Sequence, residues 1–142
     1  MWLLDNYPTI KWHIEIHSYS QIILHCWEDD ENQSDDPKTK FAKPEYDRKR
    51  GRKRDNYKEY VSKEDHSILT HLTNRIRDGI SALNQNEYTV QSVFNLYPTS
   101  GSGQDYSHSC HYDSNNKVFG FTIELEKNFI LHRKRWNILY EK

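Results

Sequence analysis

The feature that most limits what this chain can fold into is the stretch IKWHIEIHSYSQIIL at residues 10–24. Ile10, Trp12, Ile14 and Ile16 recur at period two, with Lys11, His13, Glu15 and His17 between them. Such alternation marks a strand with one apolar and one polar face. After His-Ser-Tyr-Ser, the run QIILHCW at residues 21–27 has the length of a second strand. Its consecutive aliphatics suit a sheet covered on both faces, so helical layers are expected and the fold class is α/β. His17 sits at the end of the first strand, where open α/β sheets tend to meet ligands.

Periodicity and turn chemistry supply the other elements. Residues 28–60 turn from acidic to basic, contain Pro37, Pro44 and Gly51, and hold almost no aliphatic side chain. A long charged excursion over the surface is expected there. Ile68, Leu72, Ile76, Ile80 and Leu83 recur at helical spacing, which predicts an amphipathic helix over 62–83. Ser62, followed three residues later by Asp65, has the spacing of a capping box at its start. YTVQSVFNLY reads as a short extended segment, PTSGSG as a flexible turn, and KVFGFTIELE as a strand with Val118, Gly120, Thr122 and Glu124 on one face. Glu124 therefore ends a strand, as His17 does.

Composition sets the outer bounds. A length of 142 residues suits one domain, and a net charge of -1 gives no global field that would draw nucleic acid or a membrane. An apolar fraction of 35% with a mean hydropathy of -1.05 is low for a self-contained core and points to a piece of something larger. No segment approaches the roughly 20 apolar residues of a membrane helix, and MWLLDNYPT is too short and too acidic for a secretory signal. Cys26 and Cys110 allow one bridge or none.

Several residue groups could carry chemistry. His13, Glu15 and His17 share a strand face, but alternate residues lie about 6.6 Å apart. The outer histidines would then be roughly 13 Å apart at Cα, too far for one zinc with bonds near about 2 Å. His17 needs partners from elsewhere. RKRGRKR at residues 48–54 is flanked by acidic residues and has no aromatic platform, so it reads as solvated loop rather than a nucleic-acid site. The spacing of His108, Cys110 and His111 matches no standard zinc pair. Neither Ser18 nor Ser100 lies in a Gly-x-Ser-x-Gly elbow.

Three motifs in order carry a resemblance: IEIHSYSQIIL, LYPTSGSGQDY at 96–106 and FTIEL at 121–125. Together they resemble the zinc metallocarboxypeptidase family, the one related to the pancreatic carboxypeptidases. WEDDENQS further resembles a Trp-Gly-Asp-Asp-Glu-Asn-Gln pattern of bacterial members, with Glu28 where glycine is usual. The likeness spans residues 10 to 125 and only the second half of the family's domain. It implies a partial mixed sheet flanked by helices, the second half of a carboxypeptidase-like α/β/α domain, with residues 126–142 a divergent tail.

The resemblance also implies roles. His17 would be a zinc ligand and Glu124 the general base taking a proton from zinc-bound water, since zinc brings the pKa of water to about 7. Tyr97 would close over the substrate's C-terminal residue, with mobility from the glycines and serines that follow. Ser18 and Tyr19 would line the cleft, and Gln104 and Thr122 would lie near the bottom of the side-chain pocket. A neutral glutamine there suggests no strong demand for a charged substrate end. The substrate class would be the C-terminus of a peptide or protein, and the reaction hydrolysis of its last peptide bond.

Departures qualify this. No His-x-x-Glu precedes the His-Ser-Tyr-Ser strand, although the family takes two zinc ligands from such a motif there. The family's upstream carboxylate-binding arginines and asparagine have no counterpart, and no Arg-Asp follows Leu125. Cys26 stands where a proline is common, leaving the turn after the second strand open. A chain with one zinc ligand is expected to be inactive alone. It would need a missing N-terminal half as partner, or else be a non-catalytic remnant or binding module of the same fold. Neither nucleic acid nor membrane is an expected partner, and secretion is expected only by family analogy.

Overall fold

A computed structural model describes residues 2–114 and 116–126. In chain order these form α1 (Trp2–Asn6), β1 (Trp12–Ser18), β2 (Ile22–His25), β3 (Asn32–Gln33), β4 (Glu59–Tyr60), α2 (Lys63–Asn84), β5 (Thr89–Ser92), α3 (Gly103–Ser114) and β6 (Phe119–Leu125). The two strand runs expected from alternation are β1 and β2, and the returning strand is β6. Residues 127–142, most of the expected divergent tail, lie outside the described residues. No helix among the described residues is long and apolar enough to cross a membrane.

The main sheet is mixed, in the order β1-β6-β2-β5. β1 runs parallel to β6, β6 antiparallel to β2, and β2 parallel to β5. α2 packs on β2 and β5, whereas α3 packs on β6 and β1. The face toward α2 carries the core of Cys26, Trp27, Val61, Leu69, Phe119 and Phe121. Phe41 stacks on Trp27 with ring centroids 5.0 Å apart. This is the α/β class with a mixed sheet that the sequence pointed to.

α2 begins where expected, with the Ser62 hydroxyl accepting from the Asp65 N–H at 3.0 Å. The Asp65 carboxylate pairs with Lys117 at 2.6 Å. Ile68 and Leu72 of the expected stripe pack against the core half-buried, but the deepest positions are offset from it. Leu69 and Thr73 are fully buried while Leu83 is 89% exposed. The apolar repeat ran past the end of the sheet that α2 covers, so its last member meets solvent.

The charged stretch 28–60 is partly interior rather than wholly superficial. Asp30 and Glu59 are fully buried. Arg50 organises the segment: its Nε donates to Glu59 Oε2 at 2.7 Å, and one terminal nitrogen donates to the carbonyls of Lys40 and Phe41. Asp29 lies 3.8 Å from the same guanidinium and Asp47 pairs with it. One residue of the basic run thus serves the interior, because a buried arginine needs several acceptors at once. Burial, with the Glu59 charge adding to it, pushes Asp29 up to about 7 despite Arg50. Burial also raises Asp30 to about 7, against a hydrogen bond from the Glu31 N–H.

On β1 the polar alternate residues face α3, and Trp12, Ile14 and Ile16 face the other way. Among the described residues no helix covers them, and they are 51%, 50% and 57% exposed. β1 is also an edge strand of the sheet these residues form. An uncovered apolar row on a sheet edge favours association. Replacing Ile14 and Ile16 by threonine should lower light scattering of the concentrated chain and change unfolding free energy by less than about 0.5 kcal/mol each. Unchanged aggregation would mean that this face is not the sticky one.

The raised carboxylates give the second expectation. Between an unfolded value of 3.8 and a folded value of about 7 the native state holds protons that the unfolded chain has released. Stability should therefore fall as pH rises through that window. Asp30→Asn removes one such titration, so urea melts at pH 5 and 7.5 should differ less for the variant than for the parent.

Candidate active-site cleft

The parallel register of β1 and β6 sets His17 beside Glu124. Residues paired across adjacent strands point to the same face, and their side chains meet with His17 Nδ1 3.5 Å from Glu124 Oε1. His17 is half-exposed and Glu124 largely buried. An imidazole nitrogen and a carboxylate thus converge at the rim of a cleft of about 290 Å³.

Five of the seven residues singled out by sequence line this cleft: His17, Tyr97, Gln104, Thr122 and Glu124. Tyr97 is 55% exposed at its mouth. Gln104 and Thr122 are buried at its base, where the Thr122 hydroxyl donates to Gln104 Oε1. Ser18 and Tyr19 are not in the lining. Strand alternation turns Ser18 to the face opposite His17, and Tyr19 lies beyond the strand, 66% exposed.

α3, which the turn-like PTSGSG concealed, delivers the cleft's base. It can lie close against β6 because residue 120 is glycine: a Cβ there would come 2.8 Å from Gln104 Cα. A glycine inside a strand pattern signals such an approach, and it is the clue by which α3 could have been anticipated. Its N-terminus is capped by Ser102, whose hydroxyl accepts from the Asp105 N–H at 3.3 Å. Asp105 in turn accepts from the Glu28 N–H at 3.0 and 3.2 Å. Burial, with Asp29 nearby, raises Asp105 well above the usual carboxylate range.

The turn after β2, left open by Cys26 in place of proline, is held by Asn32. Its Oδ1 accepts from the Trp27 N–H at 2.8 Å and its Nδ2 donates to the Cys26 carbonyl at 2.9 Å. Cys26 is buried and free, and burial raises its thiol pKa. One His-x-x-Glu spacing does occur in the sequence, His25 to Glu28, downstream of β1. It is not a ligand pair. His25 faces α2, with Nδ1 at 2.8 Å from the Cys26 carbonyl and its ring 6.1 Å from that of His66. Glu28 lines the cleft on the other side of the sheet.

Sequence reasoning did not place Glu15 and Glu28 in the cleft. Glu15 Oε2 lies 3.7 Å from His17 Nε2, and Glu15 Oε1 lies 3.8 Å from His13 Nε2. The Thr99 hydroxyl donates to Glu28 Oε1. A hydrolytic zinc takes three protein ligands and leaves one position for water. His17 fits as one such ligand with Glu124 beside it. Among the described residues, no group of three His, Cys, Asp or Glu could hold a metal. The described residues therefore hold no complete zinc site. His108, packed edge-on against Trp27 at 5.1 Å, is fully buried. The side chains of Cys110 and His111 lie outside the described set.

A family model described as zinc carboxypeptidase matches residues 2–140. No curated protein matches the sequence. The close approach at Gly120 yields a direct check: Gly120→Ala should destabilise the chain by about 1–3 kcal/mol through overpacking. Loss of the slow-exchanging amides of α3 would accompany it. A variant as stable as the parent would show that α3 is not pressed on β6.

Proposed function

This chain belongs to the zinc carboxypeptidase family, and on that premise we propose that it is the part of a metallocarboxypeptidase catalytic unit that supplies one zinc ligand, the catalytic carboxylate and the substrate pocket. The observation that carries this reading is the 3.5 Å approach of His17 Nδ1 to Glu124 Oε1 at the rim of a cleft. In it, His17 holds metal through its imidazole. Glu124 takes the proton of the attacking water during hydrolysis of a C-terminal peptide bond, a role suited to a carboxylate in a partly screened cleft. Tyr97 covers the bound end, and Gln104 and Thr122 form the floor beneath the last side chain.

The remaining zinc ligands come from a polypeptide segment beyond this sequence, and the uncovered Trp12, Ile14 and Ile16 beside the β1 edge are where such a segment would complete the sheet. On this reading the 142-residue chain alone turns over no substrate. Secretion follows only from analogy with the family. A second reading, a non-catalytic binding module of the same fold, is favoured by the lack of a complete metal-holding group among the described residues.

The two readings separate in a complementation experiment. The chain is mixed with a polypeptide carrying the His-x-x-Glu portion of a zinc carboxypeptidase domain, and zinc retention and release of C-terminal amino acids are measured. The catalytic reading expects both to appear, with His17→Ala lowering zinc affinity by more than about tenfold. It expects Glu124→Gln to leave zinc bound while slowing hydrolysis by about 10²–10⁴. Turnover untouched by Glu124→Gln would sink the assignment, and a complemented complex that binds zinc without turnover would favour the binding module.

A further inference from the structure

The cleft's charge is more informative than its floor. Gln104, the residue that suggested a neutral pocket, has its side-chain oxygen occupied by the Thr122 hydroxyl. Around that pair the lining contributed by the described residues carries three carboxylates, Glu15, Glu28 and Glu124, and no lysine or arginine. Glu124 faces His17, and Glu28 accepts from Thr99. Glu15 is different. Its neighbours are His13 and His17 at 3.8 and 3.7 Å and the Thr122 hydroxyl at 3.4 Å. These contacts are long, so most of its capacity to accept hydrogen bonds is unused.

Glu15 reaches this place because residue 103 has no side chain. A Cβ on Gly103 would fall 1.9 Å from Glu15 Oε1, so the carboxylate occupies the space that any other residue would fill. That space lies at the first turn of the 12-residue α3, where the helix dipole favours a negative group. Closing an apolar substrate end over these carboxylates would strip their water and give nothing in return. A cationic end would form charge-assisted hydrogen bonds instead.

Resting on the reading of this cleft as the seat of a peptide's last residue, we propose that it selects a cationic side chain of the lysine or arginine kind. Glu15 is the specificity-determining carboxylate and Glu28 its second. The chain's own peptide-end binding tests this without any need for turnover. Benzoylglycyl peptides ending in arginine, citrulline and norleucine are titrated into the 142-residue chain, and amide shifts at Tyr97, at residues 99–102 and at Thr122 are followed. Citrulline keeps arginine's shape without its charge.

The arginine end should bind about tenfold or more tighter than the citrulline and norleucine ends. Glu15→Gln should bring the three within about threefold of one another without weakening norleucine, and Glu28→Gln should have the smaller effect. Equal binding of arginine and citrulline by the parent chain overturns the proposal even if no variant folds. So does a preference that survives both substitutions. If the peptides bind equally at the cleft, only the charge selection fails. If none perturbs the cleft, the reading of it as a peptide-end site fails and takes this inference with it.

Discussion

The pairing of β1 with β6 is the constraint on which the rest depends. Parallel strands have no short connection, so His17 and Glu124 are separated by most of the described chain and meet only through backbone register. A shift of that register by one residue would turn Glu124 to the opposite face and leave the imidazole without its carboxylate. The antiparallel pairing of β2 with β6 fixes the same strand from its other side, placing Leu24 against Thr122 at the wall of the cleft. Two ladders of opposite sense thus lock one strand, and the functional rim follows from that lock.

The apparently superfluous charged segment is part of the same arrangement. Trp27 leads out of β2 into the core, its indole N–H donating to the Tyr60 carbonyl at 3.1 Å. The acidic residues just after it are held by Arg50 on one side and by Thr99 and Asp105 on the other. Removing Arg50 would leave Glu59 buried with the Tyr57 hydroxyl donating to it but without its cation, the costly half of a broken ion pair. The loop that follows Tyr97 is therefore tethered at Thr99 while Tyr97 itself stays exposed.

Two faces of β1 have opposite fates. Its polar face, with His13, Glu15 and His17, is roofed by α3. Its apolar face meets no helix among the described residues, which agrees with a composition too polar for a self-sufficient core.

The sequence by itself determined β1, β2 and β6, their faces and the position of His17 and Glu124 at strand ends, because alternation is a relation between near neighbours and survives any tertiary arrangement. It also determined α2 and its Ser62 cap, again from local spacing. Only the tertiary structure decided which strands are neighbours, that α3 follows the glycine-serine run, and that Leu83 is left in solvent. It alone admitted Glu15 to the pocket, through the missing side chain of Gly103 eighty-eight positions away. Contacts between residues so distant in the chain depend on register and packing, and no local pattern encodes either.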